Sequence, residues 1–353
     1  MPNLSDFDYH LPDELVARYP AERREGSRLL VVGRTGGQSV GRSEFEDKKF
    51  TDIANYLNAG DVLVLNETKV IPARLEGVRE KTGAKVEIFL LHRQADRTDT
   101  WHVLAAPAKK VKTGETIRMN DELSCDVLQE LTEGERIVLF RCAGDLEQAI
   151  ERAGAMPIPP YLKRQSEQID RERYQTIFAR VPGAVAAPTA SLHFTEDLLQ
   201  AIEANGVRIA RVILHVGLGT FRPVEVEDVT QHKMHAEYYE VTEDAAKTIN
   251  EARATGGRII AAGTTAARTL ETAADEHGIV HAERGKTSIF IYPPYTFKAV
   301  DALITNFHQP RSTLLMMISA FATPEIIRKA YAHAIEERYR FLSYGDAMLI
   351  VSR

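Results

Sequence analysis

Between residues 70 and 154 the sequence consists of short strand-like runs, whereas strand-like and helix-like runs alternate from about residue 155. Turn-forming pairs that end in glycine separate several of the short runs, at positions 82–83, 113–114 and 133–134. Short strands with turn signals at this spacing are typical of a small β-barrel or sandwich. We therefore predict that residues 70–154 form an inserted β domain, with a barrel as the favoured form.

Outside this region, runs with strand character are followed by runs with helical periodicity. We predict strands at residues 61–65, 207–217, 258–263, 288–292, 302–305 and 347–351. Capping hydroxyls predict where four helices begin, at Thr195, Thr242, Ser312 and Thr323. Such alternation indicates a largely parallel sheet covered by helices, open or closed into a barrel. We favour an α/β fold whose barrel-like main domain comprises residues 1–69 and 155–353.

Composition argues against two classes of protein. No run approaches the roughly 20 apolar residues that a membrane helix needs, and the acidic N-terminus lacks the pattern of a signal peptide. The two cysteines, Cys125 and Cys142, are too few for a disulfide framework or a cysteine zinc site. We therefore expect a cytoplasmic protein that makes no membrane contact. The net charge of -6 argues against a broad nucleic-acid-binding surface but is compatible with a local basic groove.

Two histidines lie in runs of small and apolar residues. His193 belongs to the run APTASLHF, and His215 precedes Gly217 and Gly219 in the run LHVGLGTF. Glycines after a buried strand let the backbone approach a ligand closely. Imidazole titrates near neutral pH, as a catalytic acid or base must. The alternative for each histidine is a hydrogen-bonded residue of the core or of a tight turn.

A third cluster lies where the predicted strand 258–263 meets a helix. Thr264 and Thr265 occupy the start of that helix, and Arg268 follows one turn later. Free N–H groups at a helix N-terminus favour an anion, and a guanidinium can bind a carboxylate through paired hydrogen bonds. Simple capping by threonine is the alternative, and it needs no ligand.

A fourth cluster contains His232, His235 and Glu237. Neighbouring imidazoles and an acid raise the possibility of a metal site. The spacing differs from that of a metalloprotease helix, which carries two histidines four residues apart. We therefore predict no metal, and we interpret these side chains as hydrogen-bonding or catalytic groups.

Two further stretches carry polar residues near predicted strand ends. Asn306 and His308 follow the strand 302–305, and Arg340 and Asp346 flank aromatic residues in the run YRFLSYGDAML. Basic and aromatic residues together suit stacking on a base and contact with phosphate. Packing of the aromatic rings into the core is an equally good interpretation.

Together these stretches resemble the S-adenosylmethionine:tRNA ribosyltransferase-isomerase family of queuosine biosynthesis. The similarity covers nearly the whole chain and includes the runs FDYHLPDELVARYP, GDVLVLNETKVIPARL, IPPYLKR, DRERYQTIFA, AAPTASLHF, LHVGLGTF, GTTAARTLE, TNFHQPRSTLL and YRFLSYGDAMLI. The chain departs from the family pattern at Ser191 and Pro294, where glycine is usual.

The resemblance implies an unusual reaction. The ribosyl part of S-adenosylmethionine is transferred to 7-aminomethyl-7-deazaguanine at the wobble position of tRNA and isomerised. The product is epoxyqueuosine-tRNA, and adenine and methionine are released. The resemblance also implies an α/β barrel-like domain with an inserted β-barrel, no metal and no cofactor, since S-adenosylmethionine is a co-substrate. We expect the chain to bind the tRNA anticodon loop as a monomer.

Site residues follow from the clusters and the resemblance together. His193 and His215 are the acid–base candidates, and Glu237 and Asp346 are assigned to orient them or to contact the donor. We assign substrate binding to Thr264, Thr265, Arg268, Thr189 and Asn306. Residues near the domain junction, in the run IPPYLKR and near the C-terminus are nominated as tRNA contacts: Asn66, Lys69, Arg74, Tyr161, Lys163, Arg164 and Arg340.

Two rival functions stay open at this point. An S-adenosylmethionine-dependent methyltransferase would also use a glycine-rich turn after a strand, but the helix expected after such a turn does not follow at once. That enzyme would release S-adenosylhomocysteine instead of adenine and methionine. A non-catalytic RNA-binding module would have no need of several histidines at strand ends. Product analysis separates the two enzymes, and an assay for released adenine also separates the transferase from the binding module.

Overall fold

The computed structural model describes residues 2–34, 44–94, 97–217, 219 and 224–351. In chain order the strands are β1 (Arg28–Gly33), β2 (Phe45–Lys49), β3 (Val62–Asn66), β4 (Thr68–Val70), β5 (Arg74–Arg79), β6 (Lys85–Gln94), β7 (Arg97–Ala106), β8 (Thr116–Arg118), β9 (Leu123–Glu130), β10 (Glu135–Cys142), β11 (Val181–Ala184), β12 (Arg208–Leu214), β13 (Glu237–Val241), β14 (Ile259–Ala262), β15 (Glu283–Thr287), β16 (Ala302–Asn306) and β17 (Ala347–Val351). The helices are α1 (Leu146–Ala153), α2 (Gln168–Arg173), α3 (Glu196–Ala204), α4 (Glu243–Ala254), α5 (Thr264–Ala273), α6 (Thr313–Phe321) and α7 (Pro324–Glu336). No helix in these ranges has both the length and the apolar content needed to span a bilayer.

The main sheet has the strand order β15-β13-β12-β3-β14-β16-β17-β1-β2. Its four central strands, β12, β3, β14 and β16, run parallel, so their carboxyl ends lie at one edge. The flanking strands β13 and β17 run antiparallel to this group and therefore begin at the same edge. Strand β1 is parallel to β17 and begins there as well. Seven neighbouring strands thus bring an end or a start to a single edge of the sheet.

This sheet is open in the described part of the chain, with β2 and β15 at its two ends. The α/β class with an inserted closed barrel is confirmed. Closure of the main sheet into a barrel, which we favoured, is not observed in these residues. An α/β barrel closes through parallel neighbours, whereas here the outer pairs β13–β15 and β1–β2 are antiparallel.

Strand β3 separates two hydrophobic cores. Val62 and Val64 face a core that includes α4 to α7, whereas Leu63 and Leu65 face a second core that includes α3. The 3-10 helix Phe50–Tyr56 also packs into the second core. A strand covered on both faces is apolar throughout, which is why the continuous run DVLVL predicted it correctly.

Strands β5 to β10 form the closed barrel, in the order β10-β7-β6-β5-β8-β9. Adjacent strands are antiparallel, and their inward side chains form a separate core that includes Ile88, Val103 and Val138. All six strands lie within residues 74–142. The division of the chain at residues 70 and 154 stays a prediction.

Helix starts were predicted better than edge strands. All four predicted capping hydroxyls accept a backbone N–H of the first turn. The predicted strand at 288–292 is wrong, because the strand β15 lies just before it. Strand β15 is at the sheet edge and mostly exposed, so its sequence ERGKT is polar. The apolar side chains of Ile289 and Ile291 pack against the core without joining a described strand.

Candidate active site

Buried polar residues collect at the edge where the seven strands meet, which we call the polar edge. In order across the sheet it consists of Glu237, Gly217, Asn66, Thr264, Asn306, Asp346 and Ser27. All of these except Gly217 are buried polar or charged residues. Ligands of open α/β sheets bind at the carboxyl ends of the parallel strands, so this edge is the place to look for a site.

A cavity opens at the polar edge, and we call it the strand-end cavity. Its polar lining comes from Tyr161, Tyr174, Thr189, Thr264, Thr265, Arg268, Thr305, Asn306, His308, Gln309, Ser312 and Ser343. This lining includes all five residues assigned to substrate binding and one nominated RNA contact, Tyr161. Several segments that are far apart in sequence therefore build one concave polar surface.

Helix α5 begins at this cavity. The preceding residue, Gly263, has φ of +99°, a backbone conformation that glycine adopts without strain. No described side chain caps the helix, so the threonine-capping alternative is not what the structure shows. The hydroxyl of Thr265 is buried and has no partner among the described residues. The first turn of α5 thus offers N–H groups and a hydroxyl to an anion in the cavity.

Arg268 places a buried cation one turn into α5. Its Nη1 pairs with the carboxylate of Glu237, whose other oxygen accepts the N–H of Gly217 at 2.8 Å. Its Nε and Nη2 are buried and have no partner among the described residues. These two N–H donors lie on one side of the guanidinium, where a carboxylate can accept both. Glu237 therefore orients Arg268 and contacts neither predicted catalytic histidine.

His193 lies beside the strand-end cavity and not among its lining residues. Its Nδ1 is 2.8 Å from the hydroxyl of Ser27, and its Nε2 is 3.4 Å from Nδ2 of Asn306. Asn306 Oδ1 accepts a hydrogen bond from Thr189 at 2.8 Å. Because an amide nitrogen only donates, Nε2 of His193 accepts and Nδ1 carries the proton. His193 thus acts on the cavity through Asn306 and Thr189.

Burial keeps two imidazoles neutral at this end of the sheet. Desolvation lowers the pKa of His193 to about 4, and the ring packs against Phe50 at 4.9 Å between centroids. Desolvation also lowers the pKa of His308, which lines the cavity, to about 3. Both rings are therefore neutral at pH 7, so each can accept a hydrogen bond but supplies no positive charge.

We expect these histidines to make the fold less stable in mild acid. In the unfolded chain a histidine takes up a proton as pH falls below about 6.5, whereas folded His193 resists protonation down to about pH 4. The unfolded state binds more protons in this window. As pH falls from about 6.5 to about 4, protonation of His193 in the unfolded chain therefore lowers the free energy of unfolding by roughly 3 kcal/mol. Urea unfolding of wild type and His193→Gln across the window checks this. An equally steep pH dependence in the variant would contradict it.

His215 faces a different cavity, between the main domain and the barrel. Its Nδ1 is 2.7 Å from the hydroxyl of Thr68, and its ring stacks on Tyr238. Burial lowers the pKa of its imidazole. The next residue, Val216, lines the strand-end cavity instead. The structure therefore does not bring the two predicted catalytic histidines into one cavity.

The carboxylate of Asp346 accepts hydrogen bonds from backbone N–H groups and from no described histidine. Its two carboxylate oxygens accept the N–H groups of Arg28 and Arg340, at 2.8 and 2.7 Å. Burial raises the pKa of this carboxyl, against the effect of the two hydrogen bonds. It is not among the residues that line the strand-end cavity. Asp346 thus fixes the start of β17 beside β1, and its catalytic role stays a prediction.

Asn66 likewise bonds only to backbone. Its Nδ2 donates to the carbonyl of Leu214, and its Oδ1 accepts the N–H groups of Thr68 and Leu214. The side chain is fully buried. These bonds join β3 to β12, and because the side chain is fully buried, the structure does not support the nomination of Asn66 as a tRNA contact.

Two neighbouring basic residues of the run IPPYLKR have different surroundings. Arg164 donates two hydrogen bonds of 2.7 Å to the buried carboxylate of Asp170, and its guanidinium lies over the ring of Tyr19. Lys163 is exposed and pairs with the exposed Asp13 at 2.6 Å. Arg164 is therefore engaged within the fold, whereas Lys163 stays a candidate for RNA contact.

The remaining nominated RNA contacts lie at separate places. Tyr161 lines the strand-end cavity, and Lys69 lines the cavity between the two domains. Arg74 pairs with a glutamate of the neighbouring barrel strand, and Arg340 donates to a backbone carbonyl of the N-terminal segment. Tyr161 and Lys69 thus face open space, while the two guanidinium groups are already bonded within the protein.

Sequence reasoning did not assign several residues that line the strand-end cavity, among them His308 and Ser343. His308 comes two residues after β16, and its Nε2 is 2.7 Å from the hydroxyl of Thr305. A histidine just after a strand was the available signal. Ser343 lies 2.5 Å from the hydroxyl of Tyr161. No local pattern indicates Ser343, because its partner is distant in sequence.

The remaining sequence predictions concern the histidine cluster, the position of Ser191 and the glycine-rich run. Within the described ranges, no cluster of three or more His, Cys, Asp or Glu side chains could hold a metal. His232 packs its ring on Phe290. Ser191 donates to the carbonyl at the end of β14, at 3.2 Å. Part of the glycine-rich run, residues 218 and 220–221, lies outside the described residues.

Comparison with known proteins shows the family to which the chain belongs. The chain matches the family described as queuosine biosynthesis protein over residues 4–350. It is 54% identical to the S-adenosylmethionine:tRNA ribosyltransferase-isomerase of Symbiobacterium thermophilum, over 99% of each chain. The enzyme of the same name from Pelotomaculum thermopropionicum is 53% identical, over 99% of this chain and 100% of that one. A crystal structure of an S-adenosylmethionine tRNA ribosyltransferase from Thermotoga maritima is 38% identical, with a TM-score of 0.54 over 98% of this chain and 100% of that one. The chain therefore belongs to the queuosine biosynthesis protein family.

Proposed function

We propose that the chain is an S-adenosylmethionine:tRNA ribosyltransferase-isomerase. It transfers the ribosyl part of the donor to 7-aminomethyl-7-deazaguanine at the tRNA wobble position and isomerises it. Epoxyqueuosine-tRNA forms, and adenine and methionine are released. Full-length similarity to relatives that carry this enzyme name supports the proposal.

The observation that carries the proposal is the half-paired guanidinium of Arg268. A buried donor without an acceptor costs about 1–3 kcal/mol, and more when it is charged. S-adenosylmethionine ends in an amino-acid carboxylate, which can accept both Nε–H and Nη2–H of Arg268. The uncapped start of α5 adds N–H groups on the same cavity, beside Thr264 and Thr265.

Proton transfer is needed at two points of this reaction. The donor's sulfonium acidifies the adjacent ribose carbon, from which a base removes a proton, and adenine leaves more easily when an acid protonates it. His308 lines the cavity and is neutral, so it can accept a hydrogen bond there, but a pKa lowered to about 3 makes it a weak base. We assign His193 a positioning role through Asn306, and we assign His215 to the RNA side of the protein.

The anticodon loop of tRNA is the proposed partner, and the chain is proposed to act as a cytoplasmic monomer without a separate cofactor. Tyr161 offers an aromatic face within the strand-end cavity. Burial raises the pKa of its phenol to about 12, so the ring carries no charge at pH 7. Aromatic rings stack on unpaired bases, so Tyr161 is suited to hold the base that reacts.

Incubation with S-adenosylmethionine and tRNA that carries the aminomethyl base tests the proposed function. We expect adenine and methionine in equal amounts, and the same tRNA without the modified base should give neither. Release of S-adenosylhomocysteine would identify a methyltransferase. Retained tRNA binding without turnover would identify a binding module.

A further inference from the structure

A second cavity separates the main domain from the barrel, and we call it the interdomain cleft. It is defined by Lys69, His92, Arg93, Trp101, Gly183 and His215. Its volume of about 580 Å³ lies within the range typical of ligand sites. We propose that this cleft binds the nucleotide of the tRNA substrate that neighbours the modified one. This inference rests on the proposed function.

Trp101 lines the cleft with part of an indole that is otherwise packed into the barrel core, and it offers the cleft an N–H donor. The indole N–H is buried and has no acceptor among the described residues. Such a donor favours a ligand that supplies an acceptor, and every nucleobase carries carbonyl oxygens or ring nitrogens that accept. The guanidinium of Arg93 lies 5.1 Å from the centre of the indole. Aromatic and guanidinium planes together are typical of sites for unpaired bases.

The charges around the cleft leave one cation unmatched. Glu147 pairs with Arg93 at 2.9 Å, and Glu151 pairs with Arg171 at 3.3 Å. Lys69 is exposed and forms no ion pair with a described residue. An ammonium group at the rim of a cavity that suits a base is well placed for the phosphate of the same nucleotide.

Gly183 leaves a nitrogen of His215 open to the cleft. A Cβ atom at position 183 would lie 2.6 Å from Nε2 of His215. The other ring nitrogen is already bonded to Thr68. Nε2 is therefore the group that His215 can offer to a ligand in the cleft.

The interdomain cleft adjoins the strand-end cavity through two backbone segments. Residues 182–183 line the cleft, and residues 186–188 of the same segment line the strand-end cavity. Likewise, His215 lines the cleft, and the next residue, Val216, lines the strand-end cavity. A loop of RNA with its reacting base in one cavity can therefore place the adjacent nucleotide in the other.

Trp101 is the sole tryptophan of the chain, so its fluorescence reports on the cleft alone. We expect an anticodon stem–loop RNA to quench this emission with a saturable curve, and S-adenosylmethionine alone to leave it unchanged. Lys69→Ala should weaken the RNA affinity about fivefold and reduce its salt dependence by about one ion. Lys247→Ala removes the same charge at an exposed position away from the cleft and should bind as wild type does.

Three outcomes would overturn the assignment. The first is RNA binding, measured by filter retention, without any change in Trp101 emission. The second is quenching by S-adenosylmethionine alone, which would assign the cleft to the donor. The third is equal affinity for Lys69→Ala and Lys247→Ala. Adenine release by the wild type is measured separately, so loss of the cleft assignment and loss of the proposed function give different results.

Discussion

Replacing Arg268 with lysine is expected to raise the KM for S-adenosylmethionine about 100-fold, with little change in tRNA affinity. Lysine keeps a positive charge for Glu237 but cannot present two parallel N–H donors to a carboxylate. Loss of one charge-assisted hydrogen bond costs about 1.5–3 kcal/mol, and each 1.4 kcal/mol is tenfold in affinity. Steady-state kinetics at saturating tRNA, with adenine as the measured product, give the value.

Lysine is preferred to alanine here because Glu237 is buried beside Arg268. Alanine would leave a buried carboxylate unpaired, at a cost of about 3–5 kcal/mol in stability. Arg211→Lys is the matched control, since Arg211 is exposed on β12. A lower kcat with unchanged KM in Arg268→Lys would place Arg268 in the chemical step, and unchanged kinetics would remove it from the site.

A second variant tests whether Glu237 acts through Arg268. Glu237→Gln removes the charge that orients the guanidinium but keeps an oxygen that can accept the N–H of Gly217. We expect KM for the donor to rise about tenfold, while kcat at saturating donor stays near the wild-type value. A large fall in kcat alone would instead assign Glu237 to the reaction.

The location of the site followed from the sequence because strand ends carry a strong local signal. Thr264, Thr265 and Arg268 follow a buried strand and open a helix, and the structure places all three at one cavity. Thr189 was assigned from its run APTASLHF together with the family resemblance. Asn306 followed from the same reasoning as the residues of α5, because it lies just after a predicted strand. Apart from Thr189, these predictions needed only the order of the elements and the rule that parallel strands end at a common edge.

The sequence did not show which cavity each side chain faces. His215 and Val216 are adjacent, yet they face different cavities, because successive side chains of an extended segment point in opposite directions. Sequence proximity to the glycines therefore could not assign His215 to the strand-end cavity. Asp346 and Asn66 show a second limit, since their partners are backbone groups of distant strands that only the folded sheet brings near.

Replacing Arg164 with alanine is expected to lower the free energy of unfolding by about 3–5 kcal/mol, because a buried ion pair loses one partner. The carboxylate of Asp170 is fully buried and would keep only the N–H of Glu167 and the hydroxyl of Tyr344. Urea unfolding measures the loss. Lys163→Ala removes the neighbouring positive charge from an exposed pair and should cost about 0–1 kcal/mol. Equal losses in the two variants would contradict the structural role of Arg164.

The effect of Arg164→Ala should shrink in acid. Burial alone would raise the pKa of Asp170, but hydrogen bonds from Arg164, Glu167 and Tyr344 hold it below its usual value. A carboxyl with a lowered folded pKa adds stability above its unfolded pKa of about 3.9 and loses it as pH falls through the folded value. Without Arg164 that contribution is already reduced, so the stability difference from wild type narrows below about pH 4. A difference that stays constant to about pH 3 would show that Arg164 acts through its packing on Tyr19 and not through its charge.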